Sequence, residues 1–295
     1  MPDRYIPGVP CWIDTNQPDA EAAVAFYSGL FGWEIEDAMP PESDRHYFMA
    51  RIRGGDVAGI SPVPEGAPQI AKWDTYIWVQ SADETAAKVK AAGGTVVMEP
   101  MDVMDAGRTA VVSDPEGAVF CLWEPKRHRG AAIVNEAGSV NFNNMNTHDA
   151  DAAKAFYGEV FGWGTIPMGG GAEAWTLPGY GDHLELLNPG TRERMASMGA
   201  PEGFIDVVAT LTPLPDHDGD VPPHWSVTFA TDDVDVTARK ASELGGQVVA
   251  GPFDAPWVRM AVITDPQGAS FIASQFVPEN RDLRTAVGSG QAPTG

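Results

Sequence analysis

Cysteine is nearly absent, with only Cys11 and Cys121 in a chain of 295 residues. Two thiols are too few for a disulfide framework and fit a reducing compartment, so a cytoplasmic protein is expected. Positive charge is scarce as well: 19 Lys and Arg face 41 Asp and Glu, for a formal net charge of −22. The acidic residues run along the whole chain rather than forming one block. Such a surface repels phosphate backbones and anionic bilayers, which excludes nucleic acid and membrane as expected partners. No apolar run is long enough to span a bilayer, and Met1-Pro2-Asp3-Arg4-Tyr5 has neither the basic start nor the apolar stretch of a signal peptide. The six histidines (His46, His128, His148, His183, His217 and His224) show no i, i+4 spacing, which argues against a histidine metal cluster.

What the chain does have is aromatic surface and a repeat. Nine Trp and twelve Phe must be buried or bind something flat, and the length favours two domains over one large core. Asp19-Ala20-Glu21-Ala22-Ala23-Val24-Ala25-Phe26-Tyr27 returns as Asp149-Ala150-Asp151-Ala152-Ala153-Lys154-Ala155-Phe156-Tyr157, and Phe31-Gly32-Trp33 as Phe161-Gly162-Trp163, both at an offset of 130. Trp73 and Trp225, Asp83 and Asp235, and Gly93-Gly94 and Gly245-Gly246 then match at 152, and Asp114-Pro115-Glu116-Gly117 and Asp265-Pro266-Gln267-Gly268 at 151. The growing offset places an insertion in the second copy. Its expected seats, loop-like by composition, are Gly169-Gly170-Gly171 and the proline-rich acidic run from Leu211 to Pro223.

Each copy contains two smaller units. A strand at Val9 to Ile13, or Val140 to Asn144, precedes an Asp placed to cap a helix; Phe26, Tyr27 and Leu30 recur at helical spacing, and Gly32 is the stop. The second unit repeats this with a strand at Thr75 to Val79, a helix from Asp83 to Ala92, and β-rich segments at Thr95 to Met98, Thr109 to Val112 and Ala118 to Trp123. The reading is βαβββ four times over. The expected divisions are residues 1–127 and 139–278 for the two domains, 128–138 for a linker, and 279–295 for a flexible tail.

These units, the Asp…Phe-Tyr…Phe-Gly-Trp signature in both copies and the Asp-Pro-x-Gly turns resemble the vicinal oxygen chelate superfamily of glyoxalases, bleomycin-resistance proteins and extradiol dioxygenases. The resemblance runs from residue 8 to 277 and looks closest to the tandem two-domain actinobacterial branch of glyoxalase-like or hydroxylase-type proteins. It implies an α+β fold in which four βαβββ modules form two tandem glyoxalase-like domains, with half-barrel sheets around cavities. Metal-using members draw His, Gln or Glu ligands from the first and last strands of paired units. The corresponding positions here read Trp12, Gly59, Asp74 and Cys121 in the first copy, and Phe142, Glu185, Ser226 and Ile272 in the second. Neither set holds a divalent ion in the family manner, so no metal and no cofactor are expected. A displaced site at His183, Glu185 and His224 is the alternative.

Side chains two apart on a strand share a face. Ligand-binding candidates in the first copy are therefore Trp12, Asp14, Asp74, Tyr76, Trp78, Cys121 and Trp123, an aromatic cup with carboxylates in it. In the second they are Phe142, Asn144 and Glu185, beside Ser226, Thr228 and Ser274, a smaller and more polar set. The first-copy rings either receive a ligand or fill a barrel core, and the carboxylates favour a site. Cys121 has no identified base, and an inert buried thiol is the simpler reading. Arg108 and Arg259 match between copies and either clamp a ligand carboxylate or pair with Asp102 and Asp254.

The function expected is metal-independent binding of a small hydrophobic or aromatic molecule, by sequestration or carriage of a metabolite or antibiotic. The alternative is a lyase, isomerase or hydroxylase with a displaced metal or an Asp general acid/base. A fused duplication is compatible with a monomer or a homodimer.

Overall fold

A computed structural model describes residues 3–169, 172–215, 221–281 and 283, the side chains of residues 169 and 172 excepted. Gly170, Gly171, His217 and most of the expected tail lie outside the described residues.

The first copy runs β1 (Pro10–Gln17), α1 (Ala20–Phe31), β2 (Glu34–Asp37), β3 (Phe48–Ile52), β4 (Gly55–Pro62), β5 (Lys72–Trp78), α2 (Ala82–Ala91), β6 (Thr95–Val103), β7 (Gly107–Ser113) and β8 (Val119–Pro125). The second runs β9 (Val140–Thr147), α3 (Ala150–Phe161), β10 (Gly164–Gly169), β11 (Ala172–Thr176), α4 (Tyr180–Leu187), α5 (Thr191–Ser197), β12 (Val207–Pro213), β13 (His224–Ala230), α6 (Val234–Glu243), β14 (Gln247–Ala255), β15 (Val258–Thr264) and β16 (Ser270–Phe276). Each copy closes its own eight-stranded mixed sheet, in the order β2-β3-β4-β1-β5-β8-β7-β6 and its counterpart β10-β11-β12-β9-β13-β16-β15-β14. The hollows of the two sheets are thus built within copies and not between them.

The repeated signature does its work at helix ends and across the copies. Asp19 and Asp149 cap α1 and α3 by accepting from Ala22 N and Ala152 N, and Gly32 and Gly162 end them in the left-handed region at φ 72° and 74°. The helices then pack across the molecule. Phe26, Tyr27 and Leu30 of α1 share a core with Phe229, Val234, Ala238 and Phe271 of the second copy. Phe156, Tyr157 and Val160 of α3 share one with Val89, Val112 and Phe120 of the first. Hydrogen bonds follow the same exchange. Tyr27 donates to Asp265 Oδ2 at 2.9 Å while receiving Trp73 Nε1 at 3.1 Å; Tyr157 donates to Asp114 Oδ2 at 3.2 Å while receiving Trp225 Nε1 at 2.9 Å.

The insertion differs from expectation. It consists of α4, α5 and a short 3-10 turn at Phe204–Asp206, lying between β11 and β12 rather than at either expected seat. Composition misplaced it because the Gly and Pro runs that flank it carry stronger turn signals than the helical segment itself. No helix among the described residues is long and apolar enough to cross a membrane.

Candidate functional site

In the first copy the strands bring the expected residues onto one face. Trp12 pairs with Tyr76 and Asp14 with Asp74 across β1 and β5, and Tyr76 pairs with Cys121 and Trp78 with Trp123 across β5 and β8. The hollow they surround is filled by the protein itself. Tyr47, from the loop before β3, donates to Asp14 Oδ2 at 3.2 Å and accepts Trp12 Nε1 at 2.9 Å. Tyr76 donates to the same Asp14 oxygen at 2.9 Å. Gly59 admits this arrangement, because a Cβ there would lie 2.1 Å from the Tyr47 hydroxyl. From the other side His128, between the copies, puts its ring 4.4 Å from Trp12 and 5.7 Å from Trp123, and Arg129 lies over Trp78 at 5.4 Å. Trp12, Asp14, Trp78 and Trp123 are left 3–5% exposed.

The buried polar groups have mutual partners, apart from two atoms, Asp14 Oδ1 and His128 Nε2. Asp74 accepts from Lys72 Nζ at 2.6 Å and from Asn16 Nδ2 at 2.8 Å. Asp14 Oδ1 has no hydrogen-bond partner. Burial, then the neighbouring Asp74, pushes the Asp14 carboxyl up to about 7. Burial, with both carboxylates adding to it, raises the Cys121 thiol well above its ordinary value, so the thiolate is disfavoured. Burial lowers His128 and favours its neutral form.

The second copy keeps the architecture and loses the filling. At the positions of Trp123, Tyr76 and Trp78 stand Ser274, Thr228 and Ala230, and the register of β11 sets Ala172 where Tyr47 stands in the first copy. The result is a cavity of about 640 Å³, within the range of small-molecule sites. Phe142, Asn144, Thr210, Thr228, Ile272 and Ser274 line its floor; Met168, Met195, Met198, Met260, Trp257 and Phe276 form its walls and rim. Two of these, Met195 and Met198, come from α5 and its C-cap, so the insertion roofs the cavity. At the floor, Asn144 accepts from Thr210 Oγ1 at 2.6 Å and donates to Thr228 Oγ1 at 2.9 Å.

Glu185 requires correction. It lies on α4, outside the sheet, where its carboxylate accepts from the backbone N–H groups of Gly190 at 2.5 Å and Arg192 at 3.0 Å. The strand residue facing Asn144, equivalent to Gly59 facing Asp14, is Thr210. The insertion between β11 and β12 puts Glu185 on α4 and carries the counterpart of Gly59 on to β12. The displaced site dissolves for the same reason: His183 contacts Arg4 O from α4, whereas His224 on β13 contacts Pro222 O.

Among the described residues no group of three His, Cys, Asp or Glu is arranged to hold a metal ion. The family positions do not fit one either. Trp12 offers an N–H and no lone pair, Gly59 offers no side chain, Asp74 is engaged by Lys72 and Asn16, and Phe142 and Ile272 are apolar. Arg108 makes a bidentate pair with Asp83 at 2.7 and 3.0 Å, and Arg259 with Asp235 at 2.8 and 3.0 Å, so both arginines fasten helix to sheet.

Sequence reasoning missed Tyr47 and His128, which enter from loops, and the methionine wall from the insertion. Asn16 and Lys72 were accessible to it through strand alternation from Asp14 and Asp74. Trp257 had a signal too: the repeat offset sets it against Ala106, a small-to-large exchange at a hairpin tip.

Two eight-stranded half-barrels of paired βαβββ units, fused in tandem, define the class. The chain belongs to the Glyoxalase/Bleomycin resistance protein/Dioxygenase superfamily, whose model matches residues 12–122 and 139–272. Over 284 residues it is 40% identical to CFP32 of Mycobacterium tuberculosis, a protein provisionally named a glyoxylase, covering 95% of this chain and 100% of that one. It is 34% identical over 300 residues to the anthracycline biosynthesis protein DauV of Streptomyces sp. strain C5, covering 97% and 98%. Among solved structures, the Mn(II)-bound glyoxalase of Novosphingobium aromaticivorans superposes with a TM-score of 0.58 at 16% identity, over 92% of this chain and 83% of that one. The 2,3-dioxygenase LapB of Pseudomonas sp. KL28 does so at 0.56 and 14%, over 92% and 93%. At these identities the structural likeness concerns the fold.

Proposed function

We propose that the protein binds a flat, largely apolar small molecule in the second-copy cavity, without a metal ion, and acts by sequestering or carrying it. The observation that carries this reading is the contrast between matched hollows: one closed by Trp12, Tyr47, Tyr76 and Trp123, the other open over about 640 Å³ with methionine and aromatic walls. Methionine is polarisable and adaptable and suits the face of a ring system. The Streptomyces relative named for anthracycline biosynthesis supports a polycyclic ligand. A reading in which Asp14 is a general acid or base draws on its raised pKa, but Tyr47 and Tyr76 occupy the space a substrate would need beside it.

The test transfers the filling of one copy to the other. Calorimetric titration with 1,4-dihydroxyanthraquinone should show binding that EDTA leaves unchanged. Ser274→Trp, which installs the first copy's residue, should weaken it by about 100-fold or more, and Thr228→Tyr should act likewise. Trp123→Ser should leave it intact. Loss of binding on chelation, or an undiminished affinity in both occluded variants with native melting temperatures, would sink the proposal.

A further inference from the structure

The chemistry of the cavity lining restricts the ligand further, on the premise that this cavity is the binding site. Among the described residues its only ionisable lining groups are Glu173 and Asp232, and no Lys, Arg or His lines it. Glu173 is already paired with Lys154 at 2.7 Å, and the chain as a whole is strongly acidic. An anionic group entering this space would lose its hydration with no cation among the described lining residues to replace it; the Arg281 guanidinium lies behind the rim, beside the Trp257 ring over Gly199, and not in the lining.

The floor, by contrast, is rich in neutral hydrogen-bonding groups. Thr228 Oγ1 accepts from Asn144, which leaves the Thr228 hydroxyl proton to be donated elsewhere. Asn146 spends its amide N–H groups on Asn144 O, His224 O and Ser226 Oγ, so its carbonyl oxygen remains as an acceptor. Ser274 adds a second hydroxyl on the strand beside Thr228. At the rim Trp257 is held at φ 69°, a conformation rare for a bulky residue, with its ring parallel to Phe276 at 5° and 6.2 Å. A flat apolar face is thereby fixed above a polar, uncharged floor.

We infer that the cavity selects planar ring systems whose buried edge carries neutral hydroxyl or carbonyl groups, and rejects the same rings once they bear an anionic substituent. The apolar walls supply affinity and the floor supplies orientation. Rejection of anions arises from unpaired burial and not from the distant charges of the surface. Salt separates the two, because at about 0.5 M ionic strength surface fields are screened within about 4–5 Å whereas the desolvation of a buried group is not relieved.

Equilibrium dialysis near neutral pH against three probes tests this: 1,4-dihydroxyanthraquinone, its 2-sulfonate, and anthracene. The dihydroxy compound should bind best, anthracene about 10-fold and the sulfonate about 100-fold more weakly, and the sulfonate penalty should persist in about 0.5 M NaCl. Thr228→Val should reduce binding of the dihydroxy compound while leaving anthracene unchanged, which a merely structural role for the threonine would not do. Binding of the sulfonate within a few-fold of its parent, or collapse of its penalty in salt, overturns the selection while leaving the cavity a binding site. Failure of all three probes overturns the cavity as a site and the selection with it.

Discussion

Asp14 and Asn144 occupy matching places in the two sheets, opposite Gly59 and Thr210, and their difference sets how each hollow responds to pH. Asn144 is neutral and fully engaged. Asp14 is buried, has one oxygen without a partner, and is raised to about 7 by burial and by Asp74. With its folded pKa above the unfolded value of about 3.9, the folded chain holds a proton that the unfolded chain has released. The contribution is therefore fully present below about pH 4 and declines as pH rises through 7. Asp14→Asn should gain stability over the wild type as pH rises from 5 to 8, by on the order of 1–3 kcal/mol, read from melting curves of the pair at each pH. A gap that is constant or shrinks would show that Asp14 is ionised throughout. At this scale the sequence was partly legible: alternation placed Trp12, Asp14, Asp74 and Trp123 on one face, as the strand pairing has them. Whether rings on such a face leave space or take it depends on Tyr47 and His128, whose loops carry no periodic signal.

The helices make the repeat legible and explain why it persists in both copies. Asp19, Gly32, Asp149 and Gly162 are local signals of helix start and stop, which is why α1 and α3 could be read within a residue or two. Tyr27 and Tyr157 had a less local reason to recur, since each fastens its helix to the Asp-Pro turn of the other copy. Tyr157→Phe removes a hydroxyl that serves both Trp225 Nε1 and Asp114 Oδ2, and leaves both buried groups short of a partner. It should cost about 1–3 kcal/mol in denaturant unfolding, and Tyr27→Phe should cost less, because Asp265 Oδ2 keeps Gln17 Nε2 at 2.7 Å; a neutral effect of Tyr157→Phe would mean that the turns hold without the exchange. The insertion was the element least legible. Its N-caps, Gly179 and Gly190, make no side-chain cap bond, so no capping residue announced either helix, and α5 buries no residue and so has no core-facing stripe to read.

At the scale of the molecule, duplication followed by divergence has given one fold two hollows of opposite character. The two cores are shared between copies, so neither sheet stands alone; the first hollow is closed by its own side chains, and the second holds a cavity of about 640 Å³. The architecture was visible in the offsets of 130 and 152; the location of the free volume was not, because volume is decided by what fills the hollow as much as by what lines it. The measurement that bears most directly on this account is a crystal structure of the chain with a brominated dihydroxyanthraquinone, its position fixed by anomalous scattering. The bromine should appear once per chain, in the second copy, with the ring between Met198 and Trp257 and an oxygen within hydrogen-bonding distance of Thr228 or Ser274. A bromine lodged in the first copy beside Asp14, or between the copies, would contradict it.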